Sequence, residues 1–222
     1  MPIDWFPLWL SLRVAVIATL IAMTVGVWLA YVLANHEFRG KAILAAAVHL
    51  ALLLPPTVIG FYVLVLLGRT TPLGRLYESV FGVPLLFTWQ AAVLAALLYT
   101  LPLLVDSARA AFEGVGARYG RAALSLGASE WSVFWRVILP LARRPILAAG
   151  VLAFARSLGD FGITIMIAGN LPGATQTMPV AIYSAVESGN GAAARALVAV
   201  ISALVFGALY LATRLGRKRA AA

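Results

Sequence analysis

Residues 119–140 read YGRAALSLGASEWSVFWRVILP, the longest amphipathic stretch between long apolar runs, and the chain is organised around it. The spacing predicts two short helices. The first, over about residues 117–126, sets Ala122, Ala123 and Leu126 on one face at i, i+1, i+4 spacing. Gly127 closes it, because glycine enters the left-handed conformation without a Cβ clash. Ser129 then offers an N-cap hydroxyl and Glu130 a negative charge to the first turn of the second helix. Val133, Phe134, Val137 and Ile138 form its apolar stripe, and Leu139-Pro140 is expected to stop it. Two such helices are too short and too polar to cross a bilayer. They suit its surface, where a partner can grip them.

Working outward, the composition sets the class. Hydrophobic residues make up 63 % of the 222 residues and charged residues only 11 %. The mean hydropathy is +0.96. A soluble domain of this size lacks cover with so few charges. The chain reads as an all-α integral membrane protein with one transmembrane domain over residues 1–222. With no cysteine, disulfide frameworks and thiolate metal sites are excluded. His36 and His49 are the two histidines, too few for a histidine-rich metal centre, and no cofactor is implied.

Five apolar runs are long enough for spans, which need about 20 residues; they lie near 10–35, 42–68, 85–106, 145–167 and 196–213. Trp5 and Trp9, ahead of the first, read as an interfacial anchor, and the lack of basic residues before that run argues against a signal peptide. The second run is broken by Leu54-Pro55-Pro56-Thr57. One reading is a kinked helix, which membranes tolerate when neighbours satisfy the freed carbonyls. The other is an unwound segment, Pro55, Pro56 and Thr57, lining a translocation path. His49, on the same run, reads as a packed or interfacial histidine. Segments 69–87 and 170–195 read as loops, and 107–144 as a large polar loop holding the opening stretch.

Basic residues orient the chain. The 35–42 turn, the 106–144 loop and the C-terminal tail carry twelve Lys and Arg, against four in the alternate segments. The positive-inside rule then puts the central loop and the C-terminus in the cytoplasm and the N-terminus outside. The formal charge of +9 is thereby a topology signal, and no nucleic-acid partner is needed to explain it. The chain holds no phosphate-cradling G-x-x-x-x-G-K-[ST] loop, no Ser-His-Asp or Cys-His set and no zinc spacing. A non-catalytic membrane subunit is the expectation. A self-contained channel or secondary transporter is the competing class; such proteins show internal repeats or several intramembrane carboxylates, whereas this chain has one, Asp160, and no convincing repeat.

Arg121-Ala122-Ala123, Gly127 four residues on, and Ile138-Leu139-Pro140 resemble the cytoplasmic E-A-A loop of binding-protein-dependent ABC-transporter permeases. Two departures stand out: Arg121 occupies the usual glutamate position, and no residue separates Ile138 from Leu139-Pro140. Three further stretches, LPPTVIG (54–60), AFARSLGDFG (153–162) and LPGATQTMPVAIY (171–183), together resemble the molybdate permease subunit over about residues 11–211. Sulfate permeases share the L-G-[DE]-F-G element, so the 172–183 run is the better discriminator. Asp160 stands where the molybdate branch usually has glutamate.

The resemblance implies an ABC type I permease fold and a homodimer of permease subunits. It further implies two cytoplasmic ATP-binding subunits and a soluble oxyanion-binding protein, with molybdate or tungstate as substrate, in the inner membrane of a prokaryote; a sulfate or thiosulfate permease of the same group is the alternative. ATPase docking is expected at Arg121, Ala122, Ala123, Leu126, Gly127, Ala128 and Trp131, where small residues let a partner approach the backbone. Arg156 and Asp160 fall at i, i+4 and can pair on one helix. As intramembrane charges they face the protein interior or a cavity. They are read either as a structural ion pair or as a gate, with Arg156, or backbone donors around Thr164, meeting a divalent anion.

Overall fold

The structure is a computed structural model that describes residues 4–217, without the side chains of residues 117, 118, 121 and 217. All regular elements among the described residues are helices. The chain starts with α1 (Phe6–Asn35), followed by α2 (Lys41–Leu53), α3 (Pro56–Leu67), α4 (Pro72–Phe81) and α5 (Trp89–Val115). A π-helical turn (Gly116–Gly120) carries α5 directly into α6 (Arg121–Ser125). After a break come α7 (Glu130–Val133), a second π-helical turn (Phe134–Ile138) and α8 (Leu139–Leu158). Last are α9 (Gly162–Ile167), α10 (Met178–Glu187) and α11 (Gly191–Arg217). Four helical stretches are long and apolar enough to cross a membrane, and a fifth is added if α2 and α3 count as one bent span.

Small residues decide how the bundle closes. Ala15, Ala18, Ala22, Gly26 and Ala30 form a buried stripe down α1, and Ala91, Ala92, Ala95 and Ala96 are fully buried on α5. Without side chains in the way, the two backbones approach closely, the usual basis of helix packing in lipid. A Cβ at Gly26 would stand only 2.8 Å from Leu104 Cδ2. Gly150 of α8 is equally close to Met23, at 2.7 Å from its sulfur. Helices α1, α5 and α8 thus form the frame, and α11 lies against α8 and α10.

Four features depart from the sequence reading. The 42–68 run is not one kinked helix: α2 and α3 are bent by 118° across Leu54 and Pro55. Pro56 opens α3 at a position where its missing N–H costs nothing. Second, segment 69–87 contains α4, capped by Thr71, whose Oγ1 accepts the Gly74 N–H at 3.0 Å, and closed by Gly82 at φ +72°. Segment 170–195 likewise contains α10, with Met178 and Ala181 buried against Leu197 of α11.

Third, Leu139-Pro140 does not end a helix; one helical run extends from Glu130 to Leu158. Proline clashes with the carbonyl four residues back in a regular α-helix. Here the turn before it is wider, with the Leu139 N–H donating to Phe134 O, and the helix passes through. Fourth, the helix near 145–167 stops at Leu158, and residues 159–161 are non-helical before α9 begins.

Candidate functional site

The opening stretch is the tip of a helical hairpin whose arms are α5–α6 and α7–α8. Its turn is built as the residue types require. Gly127 takes φ +83°, a left-handed value that costs other residues about 1–2 kcal/mol. Its N–H donates to Leu124 O at 3.0 Å, and the Ala128 N–H donates to Ala123 O, closing the first arm. Ser129 Oγ accepts the Ser132 N–H at 3.3 Å, opening the second. Glu130 sits in its first turn.

One side of the tip is anchored. Val133 and Ile138 are buried, with Phe134 and Val137 packed beside them, as the apolar stripe predicts. The Phe134 ring lies 4.3 Å from that of Tyr31 and 6.0 Å from that of Phe112. These aromatic contacts fasten the tip to the ends of α1 and α5; neither Tyr31 nor Phe112 is marked by the sequence, because both lie on other helices, well beyond the reach of a local pattern. The other side is bare. Leu126 is 89 % exposed and Trp131 70 %. Ala122 is exposed, and Ala123 and Ala128 are half-buried. A Cβ placed on Gly127 would meet nothing within 4 Å. The expected face over Ala122, Ala123 and Leu126 therefore divides, with Ala123 turned to the core cluster and the other two to the outside. Arg121 begins α6, and its side chain lies outside the described residues.

The second group of sequence-predicted residues sits at the two helix breaks, which the fold brings together. A Cβ on Gly162 would lie 2.5 Å from Pro56 Cβ, and one on Gly60 would lie 2.6 Å from Met166 Cβ. So α3 and α9 pack glycine against side chain in both directions, with the Pro55-Pro56-Thr57 corner touching the start of α9. Pro55 and Thr57 are exposed and Pro56 is half-buried. Asp160 is 4 % exposed and Thr164 2 %.

The expected Arg156–Asp160 pair does not form. Because the helix ends at Leu158, the two residues do not share the continuous turn that i, i+4 pairing requires. The carboxylate instead accepts from Thr164, whose N–H reaches Asp160 Oδ2 at 3.2 Å and whose Oγ1 donates at 2.5 Å. Thr164 thus spends both donors on Asp160, and they do not face an incoming anion. Arg156 is half-buried and stacks on Tyr99, its guanidinium carbon 4.1 Å from the ring centroid. His49 spans two helices, with Nδ1 2.6 Å from Ala45 O and Nε2 2.7 Å from Asp106 Oδ1 of α5. It is half-buried, within the packed-or-interfacial reading of the sequence, but with a partner the sequence did not reveal.

The structure is thus a bundle of apolar helices with an exposed tip and two helix breaks packed on each other, and comparison with known proteins identifies its family. The profile of the family described as "Binding-protein-dependent transport system inner membrane component" matches residues 22–220. The chain is 40 % identical over 221 residues to the molybdenum transport system permease protein ModB of Escherichia coli K12, covering 98 % of this chain and 96 % of that one. It is 39 % identical over 208 residues to ModB of Azotobacter vinelandii, 92 % of each chain. A protein of Chlorokybus atmophyticus described as "Probable sulfate transport system permease protein cysT" is 34 % identical over 177 residues, 80 % of this chain and 62 % of that one. With the profile spanning most of its length, the chain belongs to the family of binding-protein-dependent transport-system inner-membrane components.

Proposed function

We propose that the chain is the transmembrane subunit of an ATP-driven importer for molybdate, with tungstate as a near-isosteric second substrate. Two copies form the path, two cytoplasmic ATP-binding subunits hydrolyse ATP, and a soluble oxyanion-binding protein delivers the anion from outside. Near-full-length identity to proteins named as molybdenum transport permeases supports this substrate over sulfate. The excess of basic residues in the 35–42, 106–144 and C-terminal segments supports an outside N-terminus and a cytoplasmic C-terminus. Residues 1–222 act as one transmembrane domain with 107–144 as its coupling loop.

The observation that carries the reading is the tip itself: bare at Leu126, Gly127 and Trp131, and mounted on helices that continue into the bundle. An ATPase gripping Ala122, Leu126, Gly127, Ala128 and Trp131 would move α5 and α8 as levers, a rigid-body transition between inward-facing and outward-facing states. Arg121 replaces the usual glutamate, so docking rests on shape and apolar contact. At the helix breaks, Asp160 is buried and spends its acceptor on Thr164, so it is not itself a ligand for an anion in the path. Arg156 is the cation in position to meet one. Weak binding there suits a path that must release its cargo.

The decisive experiment is reconstitution of the chain with its ATPase and binding protein in liposomes. Molybdate uptake is expected to require ATP and the binding protein, with tungstate competing and sulfate competing weakly. Uptake by the chain alone, without ATPase, would instead make it a channel or secondary transporter.

A further inference from the structure

Helices α1 and α5 leave between them a groove of about 320 Å³, lined by Ile17 and Ile21 on one side and Val93, Leu94 and Leu97 on the other. Its mouth is chemically different from its floor. Trp89 forms the rim, and Arg13 stacks on that ring with its guanidinium carbon 3.9 Å from the centroid. Arg13 is exposed, and no ion pair joins it to another described residue. Gln90 also lines the groove, and its buried Oε1 has no hydrogen-bond partner. Helix α4 overhangs the mouth through Tyr77. Leu73, Leu76, Val80 and Phe81 share that face at helical spacing and are all more than half exposed, whereas Arg75, Glu78 and Ser79 fall on the opposite side.

We propose that this groove is a phospholipid site, with an acyl chain along α1 and α5, the phosphate at Arg13 and the apolar face of α4 resting in the headgroup boundary. The dimensions agree. From Trp89 to Leu97 the helix descends about 12 Å at 1.5 Å per residue, close to half of a hydrocarbon core about 30 Å thick. The polarity gradient agrees as well: cation, tryptophan and open acceptor at the rim, aliphatic side chains below. An apolar helix from a second copy would cover the floor but leave Arg13 and the Gln90 carbonyl unpaired in a dry interface, which is costly. A lipid supplies a phosphate for the first and a headgroup hydroxyl or amine for the second.

The chain has no cysteine, so Leu94→Cys, labelled on the purified permease before assembly with its partner subunits, gives one labelling position per permease copy on the groove floor. A fluorophore there, in vesicles mixing phosphatidylglycerol and phosphatidylcholine of which one carries brominated chains, is expected to be quenched preferentially by the brominated phosphatidylglycerol. Arg13→Gln should lower that preference about fivefold, the contribution of one basic residue at an anionic lipid surface, and Arg13→Lys should keep most of it. Equal quenching by the two lipids with Arg13 intact would overturn the proposal. So would the absence of quenching, the result expected if a second copy or another subunit fills the groove.

Discussion

A methyl group added at Gly127, on the hairpin tip, would touch nothing within 4 Å; one added at Gly162, at the start of α9, would stand 2.5 Å from Pro56. Both glycines are conspicuous in the sequence and both border a helix break. Their environments are opposite. Gly127 is glycine for its backbone angle, φ +83°, with open space left beside it. Gly162 is glycine for space, because α3 and α9 meet backbone to side chain. The tip is shaped to be completed by another molecule, and the breaks are already completed by each other. Substitutions should therefore separate: at the breaks they damage folding and transport together, at the tip they damage coupling with at most a modest loss of stability.

The largest effect is expected at the packed contact. Gly162→Val forces two further carbons into Pro56, and overpacking of this kind costs about 1–3 kcal/mol; thermal unfolding of the detergent-solubilised protein should fall by several degrees and uptake should be lost. Wild-type stability in this variant would mean that α3 and α9 separate readily, dissolving the contrast with the tip. Gly127→Glu comes next. It adds a charge and a strained backbone of about 1–2 kcal/mol on a surface with room for both. The protein should still fold and assemble in the membrane, while ATP hydrolysis continues without molybdate uptake. Coupled uptake in this variant would remove the tip from the docking surface.

Smaller effects probe the interior further. Thr164→Val withdraws the hydroxyl donated to Asp160 and leaves a buried carboxylate with one fewer partner, a loss of about 2 kcal/mol to be read by thermal unfolding. A stability equal to that of the parent would show that the Thr164 hydroxyl is not needed to hold the buried Asp160 carboxylate. Arg156→Gln removes the cation from Tyr99 at about 1 kcal/mol in stability, with uptake expected to fall several-fold. Unchanged uptake would make Arg156 a packing residue.

What the sequence revealed follows from where each signal resides. Gly127, Ser129 and the stripe from Val133 to Ile138 act through neighbours within a turn or two, so the turn and the anchored side of the tip were legible. The division of the face over Ala122, Ala123 and Leu126 was not. Three of the apolar runs coincide with the long helices α1, α5 and α11, whereas the 42–68 run bends by 118° and the fourth long helix covers Glu130–Leu158 and not 145–167. The continuation of the helix through Pro140 was not legible, because a π-helical turn has no distinct residue pattern and proline ordinarily reads as a stop. The Arg156–Asp160 pairing failed for a related reason: it assumed helix continuity across Gly159, and the chain leaves the helix there. Contacts of long sequence separation, Tyr31 with Phe134, His49 with Asp106 and Gly162 with Pro56, left no local trace beyond the presence of a small or aromatic residue.

Leu126 tests the comparison at its mildest. Its side chain is 89 % exposed and contributes almost nothing to the fold, so Leu126→Ser should leave stability within about 0.5 kcal/mol of the parent. If the tip is covered in the assembled transporter, the same leucine loses its water there, and a buried leucine contributes about 1.5–3 kcal/mol relative to an exposed one. The variant should then retain its unfolding temperature yet co-purify with its ATPase at least several-fold less efficiently, with a matching rise in the ATPase concentration needed to restore uptake. A variant that binds the ATPase as well as the parent would show Leu126 lying outside the covered area. The docking surface would then have to be sought toward Trp131 and Trp135, whose rings meet edge to face at 5.5 Å on the opposite arm.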